Sequence, residues 1–296
     1  MLPFRKILFP TDYSEGCQAV VPFVTELTRH FAADLTLIHA YALRPAFLVR
    51  SPDGALVYDE TVAMEPGWPN EMRALEEKRL RTYATATFPG QYLESAAQEG
   101  EPGTVIHRFI QHQGADLVMI PTRGLGPIRR LLLGSVTAKV LHDASVPVWT
   151  SVGHPLAGHQ PQASYKSIVC ALDNCDEASA ILTAAAFLAC SYNARLSLVR
   201  VVETLSTACE VDLGPYRKKV LDSAEIWLRE LKASQGIDAP HSVIEATTAD
   251  GVREEVVRRK ADLLVVGRGH SQGALASLWS SLYQIVCESP CPVLSI

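Results

Sequence analysis

The sequence predicts two tandem α/β domains, each a doubly wound parallel sheet flanked by helices. The first observation is that the chain repeats itself: FRKILFPTDY, which ends at Tyr13, matches YKSIVCALDN, which aligns Asp12 with Asp173. Further along, ADLVMIPTRG at 115–124 matches ADLLVVGRGH at 261–270. Each copy is too long for a solenoid unit and is therefore a domain. The second observation is that short apolar segments alternate with segments of helical periodicity, which is typical of a parallel sheet.

A linker separates the two copies. The segment SVGHPLAGHQPQAS at 151–164 is rich in glycine, proline and histidine and poor in large apolar residues. We therefore expect a first domain at 1–152, a linker at 153–164 and a second domain at 165–296.

The elements of the first copy follow from its patterning. Strands are predicted at KILFP (6–10), DLTLIHA (34–40), YLESAAQEG (92–100), DLVMIP (116–121) and VPVWTS (146–151). Helices are predicted at 14–32, 71–88, 103–114 and 135–144. Ser14 is the expected N-cap of the first helix, and Gly114 the C-terminal signal of the third. Residues 44–70 are predicted to be a long irregular insertion, either a lid, an interface or decoration.

Composition excludes several classes of protein. Hydrophobic residues make up 48% and charged residues 20%, as in a globular protein with a proper core. A net charge of −5 gives no reason to expect nucleic acid as a partner. The N-terminus has no signal-peptide pattern, and the most apolar run, AILTAAAFLAC at 180–190, is too short for a bilayer and is predicted to be a core helix. We expect a cytoplasmic protein that does not bind membranes.

The sequence does not contain the residue combinations of common active sites and metal sites at the spacings that those sites require. The seven cysteines include no C-x-x-C pair, and their odd number favours reduced thiols. No histidine cluster completes a metal site. We find no paired carboxylates and no Cys-His pair, so no catalytic residue is predicted, and His39 is interpreted as structural.

A loop after the fourth strand carries the strongest functional signal. In PTRGLGPIRRLLLGSVTAKV at 121–140, Gly124 is followed by nine residues and then by Gly134 and Ser135 at the start of a predicted helix. Gly134 would let the backbone approach an anion, and a helix start offers free N–H groups to it. Doubly wound sheets bind ligands beyond the carboxyl ends of their strands, where Asp12 also lies. Two alternatives involve no ligand: the glycines build a turn, and Asp12 caps a helix. The loop is neither a P-loop nor a Rossmann fingerprint.

These residues resemble the universal stress protein family. The resemblance is carried by KILFPTDYSE, LTLIHA and GLGPIRRLLLGSVTAKVLHDASVPV, and the second half resembles a further copy. It implies an open parallel five-stranded sheet in each domain, of the adenine nucleotide alpha-hydrolase type. ATP-binding members carry Gly-x-x-Gly, nine residues and Gly-Ser/Thr after strand four. An aspartate after strand one meets the adenine and ribose side.

The resemblance implies a set of cofactor-binding residues in the first domain: Pro10, Thr11, Asp12, Ala40, Arg123, Gly124, Gly134, Ser135, Val136 and Thr137. One departure is that Pro121 replaces the first glycine of the motif. Proline has no N–H and fixes φ near −65°. If the amide at this position bonds a ligand oxygen in the family, that contact is lost here; if the position needs a positive φ, the loop must follow a different path.

The second copy lacks an intact motif, since its loop is one residue shorter. Aligned from its far side, Ser280 matches Ser135 and Trp279 falls where Gly134 stands; aligned from its near side, His270 and Ser280 replace the last two glycines. Either alignment predicts a degenerate site.

The leading hypothesis is a stress-response protein that binds ATP, with or without Mg²⁺, for sensing or regulation, with at most slow hydrolysis. One alternative is a dimerisation module of the same fold that binds no nucleotide; another is a nucleotide-alpha-hydrolase-type enzyme. VPVWTS and CPVLSI are predicted to dock the two domains on each other, because an unpaired apolar edge favours aggregation. Whether two chains also form a homodimer stays open.

Overall fold

A computed structural model describes residues 2–42, 48–50, 56–58, 68–123, 133–151, 164–203, 214–268 and 275–296. The first half contains β1 (Lys6–Pro10), α1 (Glu15–Phe31), β2 (Asp34–Tyr41), β3 (Leu48–Arg50), β4 (Leu56–Tyr58), α2 (Trp68–Thr87), β5 (Glu94–Glu99), α3 (Pro102–Gln113), β6 (Leu117–Pro121), α4 (Ser135–Asp143) and β7 (Val148–Ser151). The second half contains β8 (Ser167–Ala171), α5 (Ala178–Tyr192), β9 (Arg195–Val202), α6 (Gly214–Ser234), β10 (His241–Glu245), α7 (Thr248–Arg259), β11 (Leu263–Val266), α8 (Leu275–Glu288) and β12 (Val293–Ser295).

The main sheet has the strand order β10-β9-β8-β11-β12-β7-β6-β1-β2-β5. Each half contributes five strands that are parallel to one another, and this confirms the predicted fold class. In each half the strand order reverses at the first strand, β1 or β8, which has neighbours on both sides. The crevice beyond the carboxyl ends of β1 and β6 is therefore a topological switch point, where ligands of doubly wound sheets bind.

The local signals for helix ends act as expected. The Ser14 hydroxyl caps α1 by accepting a hydrogen bond from the amide of Cys17 at 3.3 Å. Gly114 follows α3 with φ 67°, a left-handed conformation that glycine adopts without a Cβ penalty. The apolar run at 180–190 lies within α5, whose Ile181, Leu182 and Leu188 are buried, and it is thus the predicted core helix.

The prediction that residues 44–70 are irregular was wrong for the part of that segment that the structure describes. There β3 pairs with β4 in an antiparallel ladder, and α2 already begins at Trp68. The sequence offers one local signal, because a five-residue segment with Gly54 separates the two apolar runs, a length and composition compatible with a hairpin loop.

The two halves meet where β7 and β12 lie side by side. These strands are antiparallel, with Leu294 opposite Trp149, and they join the two sets of five strands into one sheet. The indole N–H of Trp149 donates to the hydroxyl of Tyr165 at 2.9 Å, and both side chains are buried. Apolar residues of both halves belong to the same core layer on each face of the sheet. Whether the halves stay docked in this way in solution remains a prediction.

None of the helices in the described ranges is long and apolar enough to cross a bilayer.

Candidate functional site

A cavity of about 310 Å³ opens at the switch point of the first domain. Its walls are formed by the ends of β1, β2 and β6, by the first turns of α3 and by the start of α4. The lining residues are Pro10, Thr11, Asp12, Cys17, Ile38, Ala40, Pro102, Val105, Ile106, Ile120, Pro121, Gly134, Ser135, Val136 and Thr137.

The structure brings together most of the residues that the sequence selected. The lining set includes Pro10, Thr11, Asp12, Ala40, Gly134, Ser135, Val136 and Thr137. Arg123 is described but is not among the lining residues. Gly124 lies outside the described residues, as do Arg129 and Arg130.

The first turn of α1 fixes the carboxylate of Asp12. Its Oδ1 accepts hydrogen bonds from the amide of Ser14 at 3.0 Å and from the thiol of Cys17 at 3.2 Å. Burial, reinforced by the charge of Asp12, raises the pKa of the Cys17 thiol to about 11, so at neutral pH this thiol is protonated and acts as a donor. The N-cap of α1 is Ser14. The alternative that Asp12 serves only as a helix cap is therefore not needed to explain its position.

Thr11 and His39 secure the backbone beside Asp12. The Thr11 amide donates to the carbonyl of Ile38 at 2.9 Å, which ties the end of β1 to β2. His39 Nδ1 lies 2.8 Å from the Thr11 carbonyl oxygen, and since a carbonyl only accepts, Nδ1 carries the proton. His39 does not line the cavity, in agreement with its structural interpretation.

The start of α4 presents an uncapped helix terminus to the cavity. Gly134 is its N-cap and makes no side-chain cap bond, whereas Ser14, Glu101 and Thr247 cap α1, α3 and α7 with their side chains. The first amides of a helix have no intrahelical acceptor, and together with the helix dipole they favour an anion. The terminus of α4 is therefore suited to a negatively charged group in the cavity.

Two hydrogen bonds hold this terminus against the end of β6. The amide of Gly134 donates to the Thr122 carbonyl at 2.8 Å, and the Thr137 hydroxyl donates to the Pro121 carbonyl at 2.8 Å. The Thr137 hydroxyl is thus used inside the protein, and its backbone amide is the group left for a ligand. Pro121 is a regular strand residue opposite Ser151, so this position does not need the positive φ that only a glycine would supply freely.

The tightest backbone approach at the site is at Gly16, which the sequence analysis missed. A Cβ there would lie 2.3 Å from the carbonyl oxygen of Arg123, while a Cβ on Gly134 would keep 3.4 Å from its nearest neighbour. Gly134 has φ −63°, which any residue adopts. The absence of a side chain at Gly16 therefore sets the distance between α1 and the segment after β6.

Most of the apolar walls were not predicted, because their residues belong to no ligand-binding motif. Ile38, Val105, Ile106 and Ile120 form much of the lining, and Cys17 closes the side next to Asp12. Helical spacing could have indicated Pro102, Val105 and Ile106, since residues three and four apart share a helix face.

The corresponding region of the second domain is built differently. Val201 stands where Ala40 stands in the first domain, and a Cβ on Gly251 would lie 2.7 Å from its Cγ2. Helix α7 therefore packs directly against the end of β9. The Asp173 carboxylate is largely exposed and lies 3.4 Å from Nη2 of Arg200. Gly269, His270 and the side chains of Trp279 and Ser280 lie outside the described residues.

No group of three or more histidine, cysteine, aspartate or glutamate side chains is placed to hold a metal ion in the part of the chain that the structure describes. The six cysteines at described positions are free.

Comparison with known proteins assigns both halves to one family. The model of the Universal stress protein family matches residues 3–151 and 164–296. Universal stress protein MJ0531 of Methanocaldococcus jannaschii is 26% identical over 145 residues, which is 49% of this chain and 80% of that protein. A universal stress protein of Thermus aquaticus is 29% identical over 145 residues, 49% of this chain and 96% of that protein. The crystal structure of a universal stress protein from Archaeoglobus fulgidus covers 98% of this chain and 95% of its own, with 17% identity and a TM-score of 0.67.

Proposed function

The chain belongs to the universal stress protein family, and from this premise we propose that its first domain binds an adenine nucleotide, ATP or a close relative. The observation that carries the proposal is the cavity at the switch point, where an uncapped helix terminus and a fixed carboxylate face the same space. We further propose that the domain boundaries lie at 152/153 and 164/165, and that the second domain binds no ATP.

The chemistry of the walls suits the three parts of a nucleotide. Ile38, Val105 and Ile106 offer apolar contact to a base, and Ala40 leaves room that a larger side chain would fill. Asp12 would accept hydrogen bonds from ribose hydroxyls. Phosphate oxygens would bind the first amides of α4, at Ser135 and Val136, where backbone N–H groups and the helix dipole favour an anion.

The same residues support a sensing or regulatory role over turnover. Ser135 is exposed at the cavity, and among the described residues no base is hydrogen-bonded to its hydroxyl, as activation of a serine nucleophile requires. Among the described residues, Asp12 supplies the single carboxylate of the lining, so a Mg²⁺ ion would be held largely by the phosphates and water.

Isothermal titration calorimetry with a matched pair of variants tests this proposal. We expect wild type to bind ATP, Asp12→Asn to bind it at least about tenfold more weakly, and Asp173→Asn to bind it as wild type does. The reason is that a hydrogen bond to a charged group contributes about 1.5–3 kcal/mol. Asp173 is the repeat equivalent of Asp12, but it lies in the domain where Val201 and α7 pack against each other at the position of the first cavity.

Three results would contradict the proposal: no ATP binding by wild type, unchanged affinity in Asp12→Asn, or weakened binding in Asp173→Asn. The first would favour a dimerisation module that binds no nucleotide. Circular dichroism on both variants would establish that they are folded.

A further inference from the structure

We propose that the second domain has a ligand site of its own, on the α6 side of the sheet, which takes an organic anion with a flat or aliphatic body. The site is a cavity of about 550 Å³. It touches the place of the first cavity at Asp173, Val201 and Thr248, the repeat equivalents of Asp12, Ala40 and Pro102, but from there it extends to α6, whereas the first cavity lies between the sheet and helices α3 and α4.

One face of α6 forms a wall of this cavity. Tyr216, Lys219, Val220, Ser223, Ala224 and Trp227 line it, with the spacing of three and four residues that places side chains on one side of a helix. The opposite wall is formed by the ends of β8 and β9, including Asp173 and Arg200, with Thr248 and Ser281 at its margin. The first part of α6 thus stands away from the carboxyl edge of the sheet.

The first domain shows how the same fold fills this space. There the Tyr13 ring lies 4.5 Å from the His39 ring and 5.1 Å from the Tyr83 ring, between α2 and the sheet. In the second copy, Asn174 stands at the position of Tyr13, and Arg200 at that of His39. The second domain has therefore lost the rings of Tyr13 and His39, acquired a permanent positive charge at Arg200 and opened a cavity at the equivalent place.

Arg200 supplies the chemistry of recognition. Its guanidinium stacks on Trp227 at 4.6 Å, and Nη2 is 3.4 Å from the Asp173 carboxylate. Its Nε and Nη1 are buried, and neither has a hydrogen-bond acceptor among the described residues. Buried donors in a native structure are normally paired, and those of a charged group are the most costly to leave unpaired. The cavity therefore holds donors that a carboxylate, sulfonate or phosphate oxygen would satisfy.

The remaining lining residues determine which uncharged part of a ligand would fit the cavity. Trp227, Tyr216 and Val220 offer flat and aliphatic contacts, and the volume suits a compound of metabolite or drug size. Lys219 adds a second, exposed positive charge. The carboxylate of Glu203 is already used, since its Oε1 accepts from the amide of Thr248 at 2.7 Å. A planar or branched monoanion fits this combination better than a polyanion, which Asp173 and Glu203 would repel.

The test uses the full chain and two fluorescent probes that differ in charge. The anion is 8-anilino-1-naphthalenesulfonate, and the neutral analogue is N-phenyl-1-naphthylamine. We expect Arg200→Gln to weaken binding of the sulfonate at least about tenfold and to change binding of the neutral analogue less than about twofold, because charge-assisted hydrogen bonds form only with the anion. Arg79→Gln is the matched control, since Arg79 stacks on Tyr13 in the first domain at 4.4 Å but lies outside this cavity.

Each result decides the proposal. It is overturned if wild type does not bind the sulfonate, if Arg200→Gln binds it as wild type does, if both probes weaken equally in Arg200→Gln, or if Arg79→Gln weakens it as much. A second variant, Ser223→Trp, places an indole in the cavity from an exposed position of α6 and is expected to abolish binding of both probes. If Arg200→Gln does not fold, Ser223→Trp decides the test. The proposal is then overturned if Ser223→Trp still binds the sulfonate.

Discussion

The hydrogen bond between Cys17 and Asp12 places a protonated thiol in the wall of the first cavity. The cysteine count predicted reduced thiols, and no sequence motif placed a cysteine at the site. The structure gives Cys17 a role, because its thiol donates to the carboxylate that we assign to the ribose, and so helps to fix its orientation. Burial and the adjacent negative charge both disfavour the thiolate.

Alkylation of Cys17 by iodoacetamide is therefore expected to be slow at neutral pH. Because the thiolate is the nucleophile and its pKa is about 11, roughly one thousandth of this thiol is ionised at pH 8, and the rate should rise about tenfold per pH unit until it levels off near pH 11. Peptide mapping by mass spectrometry measures the rate at Cys17, with the exposed Cys190 as an internal reference. A plateau already at pH 8–9 would contradict the buried hydrogen bond to Asp12.

The positions of Arg123 and Gly16 relative to the cavity could not be predicted from the sequence. Arg123 was selected because it belongs to the glycine motif, but it is not among the residues that line the cavity. Gly16 gave no signal, because a close approach between α1 and the segment after β6 is a tertiary contact. Asp12 and Gly134 were predictable as cavity residues, since strand ends and helix starts follow from local patterning.

Helix α4 is held at both ends by residues of the second domain. The amide of Leu133, just before the N-cap, donates to the hydroxyl of Tyr283 at 2.9 Å. At the other end, Arg268 Nη1 donates to the carbonyl of Ala144 at 2.6 Å. Burial lowers the pKa of Arg268 to about 10, so it stays charged at neutral pH. The second domain thus positions the helix terminus that faces the first cavity.

Tyr283→Phe should consequently weaken ATP without weakening adenosine. Removal of the hydroxyl leaves the Leu133 amide without its acceptor and loosens the terminus that we assign to the phosphates, at a cost of roughly 1 kcal/mol, or about fivefold in affinity. Titration calorimetry with both ligands measures the difference. Equal losses for ATP and adenosine would mean that Tyr283 acts on the stability of the whole domain and does not position α4.

The elements themselves were largely predictable, with one instructive exception. β1 runs over Lys6–Pro10 as expected, because a buried parallel strand is an uninterrupted apolar run bounded by polar residues. The hairpin of β3 and β4 was missed because its strands are three residues long, too short for a periodic pattern to emerge.

At the scale of the whole molecule, the two copies share one sheet and continuous core layers. Trp149 of the first half is buried against Phe23 and bonded to Tyr165 of the second, so neither half keeps its own core closed when the other is removed. The repeat was visible in the sequence. The closer packing of α7 on β9 in the second copy was less visible, since Val201 in place of Ala40 is a small change whose effect depends on the packing of Gly251.

Differential scanning calorimetry of the full chain should therefore show a single cooperative transition. Tyr165→Phe leaves the buried Trp149 N–H without its acceptor and should lower the free energy of unfolding by about 1–3 kcal/mol while keeping one transition. Two separate transitions in wild type would show that the halves fold as independent bodies and that the pairing of β7 with β12 does not hold them together in solution.

The central claim is that one of the two copies, the first, binds the nucleotide. Native mass spectrometry of the full chain, titrated with ATP, counts bound ligands per chain directly. One ATP per chain is predicted, lost in Asp12→Asn and retained in Asp173→Asn. The cavity with an uncapped helix terminus belongs to the first domain, while in the second Val201 packs against α7 at Gly251. Two ATP molecules per chain, or a single one that Asp173→Asn removes and Asp12→Asn leaves in place, would contradict it.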